Sequence, residues 1–323
     1  MTSPASRPDL RAGLAVALTV LMWASSFVIM RGAAPYLSPG PLTLLRLASA
    51  TLALGVLLAV VLISGRTSRP ARKRLTAGMI ALLLLYGISW FAVYTVVLGF
   101  ATRHLDAGTS AMLVNLAPIL VAVAAGLLFA EGWPRSLFLG MGIALAGVAL
   151  IGITGGAGQV SMLGVALALL AAVLYAAGMV LQRWILDAVD PLTAVFLGCT
   201  AGTLVCLPYL APLSSELPEA PASAVIGGIF MGVGATAAGF SLWAYAQTRM
   251  RTGQLAASSL AVPAVALLLS ALFLAEVPPV LAVIGGAMCL LGVGITRFAP
   301  RLAPRLAPRR PTSHRRHLST HTE

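Results

Sequence analysis

Charge is what this chain has least of. Only 9% of its 323 residues are Asp, Glu, Lys or Arg, against 59% hydrophobic, and the mean hydropathy is +0.97. So few charges cannot cover a water-soluble surface, and the solvent must therefore be lipid. Lysine occurs once, at Lys73 inside Arg72-Lys73-Arg74, which removes the lysine that a Walker A loop sends to nucleotide phosphates. Cys199, Cys206 and Cys289 stand singly in apolar runs, without metal-ligand spacing or a pairing framework. Of the four histidines, three lie in the C-terminal tail and His104 in a loop, so no base stands beside a buried serine. The nine carboxylates do not cluster with His or Cys. No catalytic residue, metal or cofactor is expected, which weighs against an enzyme.

The formal charge of +12 would suit nucleic acid, but the basic residues flank hydrophobic runs instead of forming one folded face, and no nucleic-acid partner is expected. Ten apolar runs can be drawn, at about 14–31, 41–63, 78–100, 108–129, 137–154, 162–183, 191–210, 224–246, 254–275 and 280–297. Ser38-Pro39-Gly40-Pro41, Gly155-Gly156-Ala157-Gly158 and the stretch from Pro212 to Pro221 separate several of them. With the amino terminus inside, eighteen of the 21 basic residues fall on the cytoplasmic side, Arg31 and Arg103 fall outside, and Arg46 lies within a span. Positive charge marks cytoplasmic loops, so both termini are expected there, in a multi-pass protein of the cell membrane. The first run, behind Arg7 and Arg11 and before Ala33-Ala34, also has the outline of a signal peptide. Residues 13–32 have a counterpart at 164–183, however, and cleavage would remove a repeat element.

That repeat organises the whole chain. Gly108, Pro118, Glu131, Pro134, Gly140 and Gly147 recur 145 residues later as Gly253, Pro263, Glu276, Pro279, Gly285 and Gly292. Pro41-Leu42-Thr43 returns as Pro191-Leu192-Thr193. The expected fold is an all-α integral membrane protein of ten transmembrane helices in two inverted five-helix repeats. Its divisions are a cytoplasmic segment (1–12), the first repeat (13–154), a linker (155–161), the second repeat (162–297) and a disordered basic tail (298–323). Five spans per half place the second half upside down, an arrangement common in secondary transporters with a site near the midplane.

Over residues 13–297 the chain resembles the EamA-type branch of the drug/metabolite transporter superfamily. Trp23-Ala24-Ser25-Ser26-Phe27 is similar to that family's first-helix signature, and Pro41 followed by Arg46 to its second-helix pattern. Pro118, Glu131 and Gly147, with Pro263, Glu276 and Gly292, resemble its paired repeat ends. Two departures stand out: Phe196 occupies the second-half position corresponding to Arg46, and the tail is longer and more basic than the fold requires. The resemblance implies export of amino acids or related small metabolites.

Several residues are candidates for a solute cavity. Tyr86, Trp90 and Tyr94 recur every four positions and form one aromatic stripe, suited either to a cavity wall or to helix packing. Asn115 places an amide deep in the fourth run, where polar groups face a pathway or another helix. Trp23, Ser26, Tyr175, Trp243 and Ser259 complete the cavity candidates, with Ser25, Gln182, Ser241, Gln247 and Ser258 behind them. Pro118 and Pro263 are expected to bend their helices and to leave the carbonyls of Val114 and Ser259 without their usual donors. Arg46 can snorkel to headgroups or pair with a substrate carboxylate. Glu131 and Glu276 read as gating or structural charges at helix ends. No Asp or Glu falls at the centre of a span, so the solute is expected to be neutral or zwitterionic. A multidrug cation exporter is the alternative within transport, and an intramembrane enzyme, a channel or a nontransporting scaffold outside it. The expected partners are a small-molecule solute and membrane lipid.

Overall fold

The computed structural model describes residues 9–33, 35–64, 76–104, 113–153, 161–273 and 279–306. Glu276, Gly108 and most of the basic tail lie outside the described residues. Among the described residues every regular element is helical, as lipid demands of a chain that must satisfy its backbone polar groups internally.

Grouped by continuity, α1 is Leu10–Ala33 and α2 is Pro39–Ile63. The third helix, α3, runs through Ala77–Tyr86, a π-helical stretch Gly87–Val93 and Tyr94–His104. Next come α4, Ala117–Leu128, and α5, Arg135–Ile153. In the second half, α6 is Met162–Ile185, and α7 is Pro191–Cys206 extended through Leu207–Tyr209 and Leu210–Glu216. Then α8 comprises Ala222–Phe230, a second π stretch Met231–Ala238 and Gly239–Gln247. Last are α9, made of Thr252–Ser258, Ser259–Ala261 and Val262–Phe273, and α10, Val280–Leu306. Eight of these helices are long and apolar enough to cross a bilayer, and Ala117–Leu128 and Val280–Thr296 are shorter apolar helices.

Local chemistry explains the starts. Pro39 and Pro191 stand at first helical positions, where a missing N–H costs nothing. The Asp190 side chain accepts from the Thr193 N–H at 3.0 Å, and Ser161 Oγ accepts from Gly164 N–H at 3.4 Å.

The two prolines do something sharper than bend. Residues Asn115 and Leu116 form a turn, so that Pro118 opens a fresh helix of 12 residues, about 18 Å long. The fourth helix, expected over about 108–129 with a bend at Pro118, is therefore broken within its described part. Ahead of Pro263 the chain tightens into the 3₁₀ turn Ser259–Ala261, and the Ser259 carbonyl accepts from the Val262 N–H. The expectation that this carbonyl lacks a donor is thus corrected: a shorter-period turn satisfies it.

The repeat is visible in the element boundaries. Ala117–Leu128 and Val262–Phe273 begin and end 145 residues apart, as do the starts of α5 and α10 and of α3 and α8. The π stretches in α3 and α8 also correspond. Where α5 meets α10, glycines remove the side chains between the backbones. A Cβ on Gly140 would lie 2.5 Å from the Gly292 carbonyl oxygen, and one on Gly285 would lie 2.5 Å from that of Gly147. The partner number falls as the α5 number rises, so the helices run antiparallel. Each glycine meets the repeat counterpart of the other, as at a two-fold axis. Between the pairs, Cys289 Sγ donates to the Ala144 carbonyl at 3.4 Å.

Candidate functional site

Away from that crossing, α1, α3, α6 and α8 enclose a core of aromatic rings. Trp90, 1% exposed, is at its centre, with ring centroids 5.8 Å from Tyr86, 5.3 Å from Tyr175 and 5.1 Å from Phe240. Room for its indole comes from Gly178 on α6, where an added Cβ would lie 2.5 Å from Trp90 Cγ. Tyr94 continues the stripe to Tyr175 at 5.9 Å, and Trp23 packs on Trp243 at 4.8 Å and on Phe240 at 5.1 Å. Both halves of the chain thus contribute rings to one cluster.

Polar groups stitch the same helices together. Gln182 Nε2 donates to the Tyr86 hydroxyl at 2.6 Å, and Gln247 Nε2 donates to the Met179 carbonyl at 3.0 Å. Trp23 Nε1 donates to the Ala235 carbonyl at 3.1 Å, inside the π stretch of α8. Yet among the described residues Trp90 Nε1, Gln182 Oε1, Trp243 Nε1 and Gln247 Oε1 are buried without a hydrogen-bond partner. Buried polar atoms are ordinarily paired, so a group of unpaired ones marks where water or a polar ligand has hydrogen bonds to make.

The other sequence candidates fall around this core. Ser26 Oγ donates to the Met22 carbonyl of its own helix at 3.0 Å, and Ser259 Oγ donates to that of Ala256 at 2.8 Å while facing Tyr175. Asn115 sits at the α4 break, half-buried and engaged with a neighbour. Pro118 is buried and Pro263 half-buried. Arg46 turns inward, its Nε donating to Thr236 Oγ1 on α8 at 2.6 Å, with Tyr94 and Cys199 nearby. It lines a pocket of about 180 Å³ together with Thr43, Thr95 and Arg103.

Glu131 is at a helix start. Its carboxylate accepts from the backbone N–H groups of Thr252 at 2.7 Å and Gly253 at 3.1 Å, the first residues of α9. The turn that presents it has positive φ on both sides, 51° at Ala130 and 74° at Gly132. Glu131→Ala is expected to lower stability by about 1–2 kcal/mol through loss of this cap, while Glu131→Gln keeps much of it. Thermal unfolding in detergent measures both, and an unchanged melting temperature for the alanine variant would remove the capping role.

Four participants were not singled out in the sequence: Phe91, Thr95, Thr236 and Phe240. Phe91 touches Tyr86 at 5.4 Å and Phe240 at 4.8 Å. The repeat held a signal, since Phe91 corresponds to Thr236 and Thr95 to Phe240 at the 145-residue separation.

Comparison with known proteins bears on this arrangement. The sequence profile of the EamA-like transporter family matches residues 10–153 and again 162–298. Over 286 residues the chain is 31% identical to a Streptantibioticus cattleyicolor protein named "Probable terminal-alkyne amino-acid exporter", covering 86% of this chain and 91% of that one. It is 30% identical over 279 residues to the uncharacterized transporter YdfC of Bacillus subtilis, covering 86% and 88% respectively. A crystal structure with 19% identity matches with a TM-score of 0.73, over 94% of this chain and 100% of the other, and so shares the fold.

Proposed function

The chain belongs to the EamA-like transporter family and is a membrane transporter, and we propose that it exports amino acids or related small neutral or zwitterionic metabolites by alternating access. The observation that carries this reading is the set of buried polar atoms on Trp90, Gln182, Trp243 and Gln247 left unpaired among the described residues, set among aromatic rings from both halves. Indole donors beside amide acceptors suit a zwitterion with an apolar side chain. An isolated cation would call for a carboxylate, at a cost of a few kcal/mol or more without one. The relative named as an amino-acid exporter supports the same solute class.

Ten spans divided as 13–154 and 162–297, with residues 1–12 and 298–323 cytoplasmic, form the topology that goes with this function. The antiparallel glycine register of α5 and α10 supports inversion of the halves, since these helices are repeat counterparts. Reporter fusions at Ser68 and at Ser215 are expected to report opposite sides of the cell membrane. The same side for both would undo the span count and the inversion together.

The functional test is counterflow in proteoliposomes, with the common amino acids and a terminal-alkyne amino acid beside quaternary ammonium dyes, with and without a pH gradient. Saturable amino-acid exchange is expected. Robust pH-driven dye uptake without amino-acid exchange would replace this reading by multidrug export.

A further inference from the structure

The pocket at Arg46 breaks the repeat. Arg46 and Arg103 both line it, with the hydroxyl residues Thr43 and Thr95, and it encloses about 180 Å³. The corresponding residues of the second half are Phe196 for Arg46, Phe240 for Thr95 and Thr248 for Arg103. That half folds into the same elements without these charges, so the architecture alone does not call for an arginine within α2. A guanidinium inside a span is costly, and such residues mark ion or substrate pathways by default.

Its hydrogen bonding leaves capacity open. Nε of Arg46 donates to Thr236 Oγ1, and that hydroxyl donates to the Met231 carbonyl at 3.0 Å, across five residues of the π stretch in α8. One edge of the guanidinium is thereby held against the second half. Among the described residues no carboxylate forms an ion pair with Arg46, and its Nη nitrogens have no hydrogen-bond partner. A planar fork fixed at one edge and open at the other matches a carboxylate, which accepts two parallel N–H bonds. Tyr94, Tyr175 and Trp90 connect this pocket to the unpaired groups of the aromatic core.

We propose that this pocket is an anion subsite that receives the carboxylate of the transported solute, with the Nη pair of Arg46 as anchor and Thr236 carrying its occupancy to α8. The identity of the solute rests on the transport reading above, whereas the anion selectivity of the pocket does not. An anionic lipid headgroup offers a similar acceptor, so the test separates the two.

The experiment uses purified full-length Thr95→Cys protein in detergent, the three native cysteines being buried. Its labelling rate is measured with an anionic sulfonate and a cationic trimethylammonium thiosulfonate reagent, each relative to a free thiol. The anionic reagent is expected to be favoured, and Arg46→Gln to reduce that preference by about tenfold, the scale on which a focused local field concentrates counter-charged molecules. Arg46→Lys keeps the charge and is expected to keep the preference. If the glutamine variant does not fold, the lysine variant and the parent carry the test through protection. A mixture of the common L-amino acids is expected to slow labelling, and leucinamide with alaninamide at equal concentration is not. Equal reagent preference in the parent and Arg46→Gln, equal protection by acids and amides, or protection by phosphatidylglycerol alone would overturn the carboxylate assignment. Anion preference and protection without amino-acid counterflow would instead sink the proposed amino-acid export and leave the subsite standing.

Discussion

Gly147→Leu is expected to prevent recovery of folded protein, read as loss of the monodisperse peak on size-exclusion chromatography in detergent. At this position the α10 backbone occupies the space that a side chain would need: the Cys289 nitrogen would lie 2.8 Å and Met288 Cβ 2.9 Å from an added Cβ. Backbone on both sides cannot rotate away as a flexible side chain can. Overpacking a well-packed core typically costs about 1–3 kcal/mol, and a contact between two backbones belongs at or above the top of that range. Small residues are how helices approach closely in lipid, where no hydrophobic force presses them together. Gly142, on the same helix but exposed and with nothing within 4 Å of its added Cβ, is the control. Gly142→Leu is expected to behave as the parent. Equal recovery of both variants would mean that the α5–α10 crossing does not hold the halves together.

The second large effect is expected at Trp90. Trp90→Ala removes the ring at the centre of the cluster and is expected to lower stability by about 3–5 kcal/mol, with loss of transport following from loss of structure. Trp90→Phe separates packing from hydrogen bonding, because it restores a ring but not the buried Nε1 donor, which has no partner among the described residues. A phenylalanine variant that melts near the parent but has lost most amino-acid counterflow is the expected result. Full counterflow by that variant would show that the indole N–H takes no part in solute recognition.

The repeat was legible in the sequence because it resides in residues that cannot be exchanged freely. Glycines at 140, 147, 285 and 292 let two backbones touch, and prolines at 118 and 263 begin new helical stretches. The all-helical organisation and the family resemblance followed from those positions and from the apolar runs between them, and the family profile matches both halves. Less legible was the way helices depart from the α period. Neither Gly87–Val93 nor Met231–Ala238 carries a proline, so a π stretch there leaves no mark in hydropathy. Its bonds are chosen by neighbours, as the Arg46–Thr236–Met231 chain illustrates.

The site divides in the same manner. Periodicity alone put Tyr86, Trp90 and Tyr94 on one face, but that face could serve equally as packing or as a cavity wall. Only the folded chain brings Tyr175, Phe240 and Trp23 to it from three other helices, and only there is the Trp90 indole sealed without a hydrogen-bond partner among the described residues. Arg46 shows the contrast most sharply. Its charge and its place in α2 are sequence facts, whereas its direction, inward to Thr236, depends on a partner 190 residues away. What the sequence by itself determined is the lipid environment, the duplicated halves and the helices, because hydropathy, glycine and proline act through local chemistry. The tertiary structure decided which polar atoms are left unpaired and where the arginine points, because both depend on contacts between helices that no local pattern encodes.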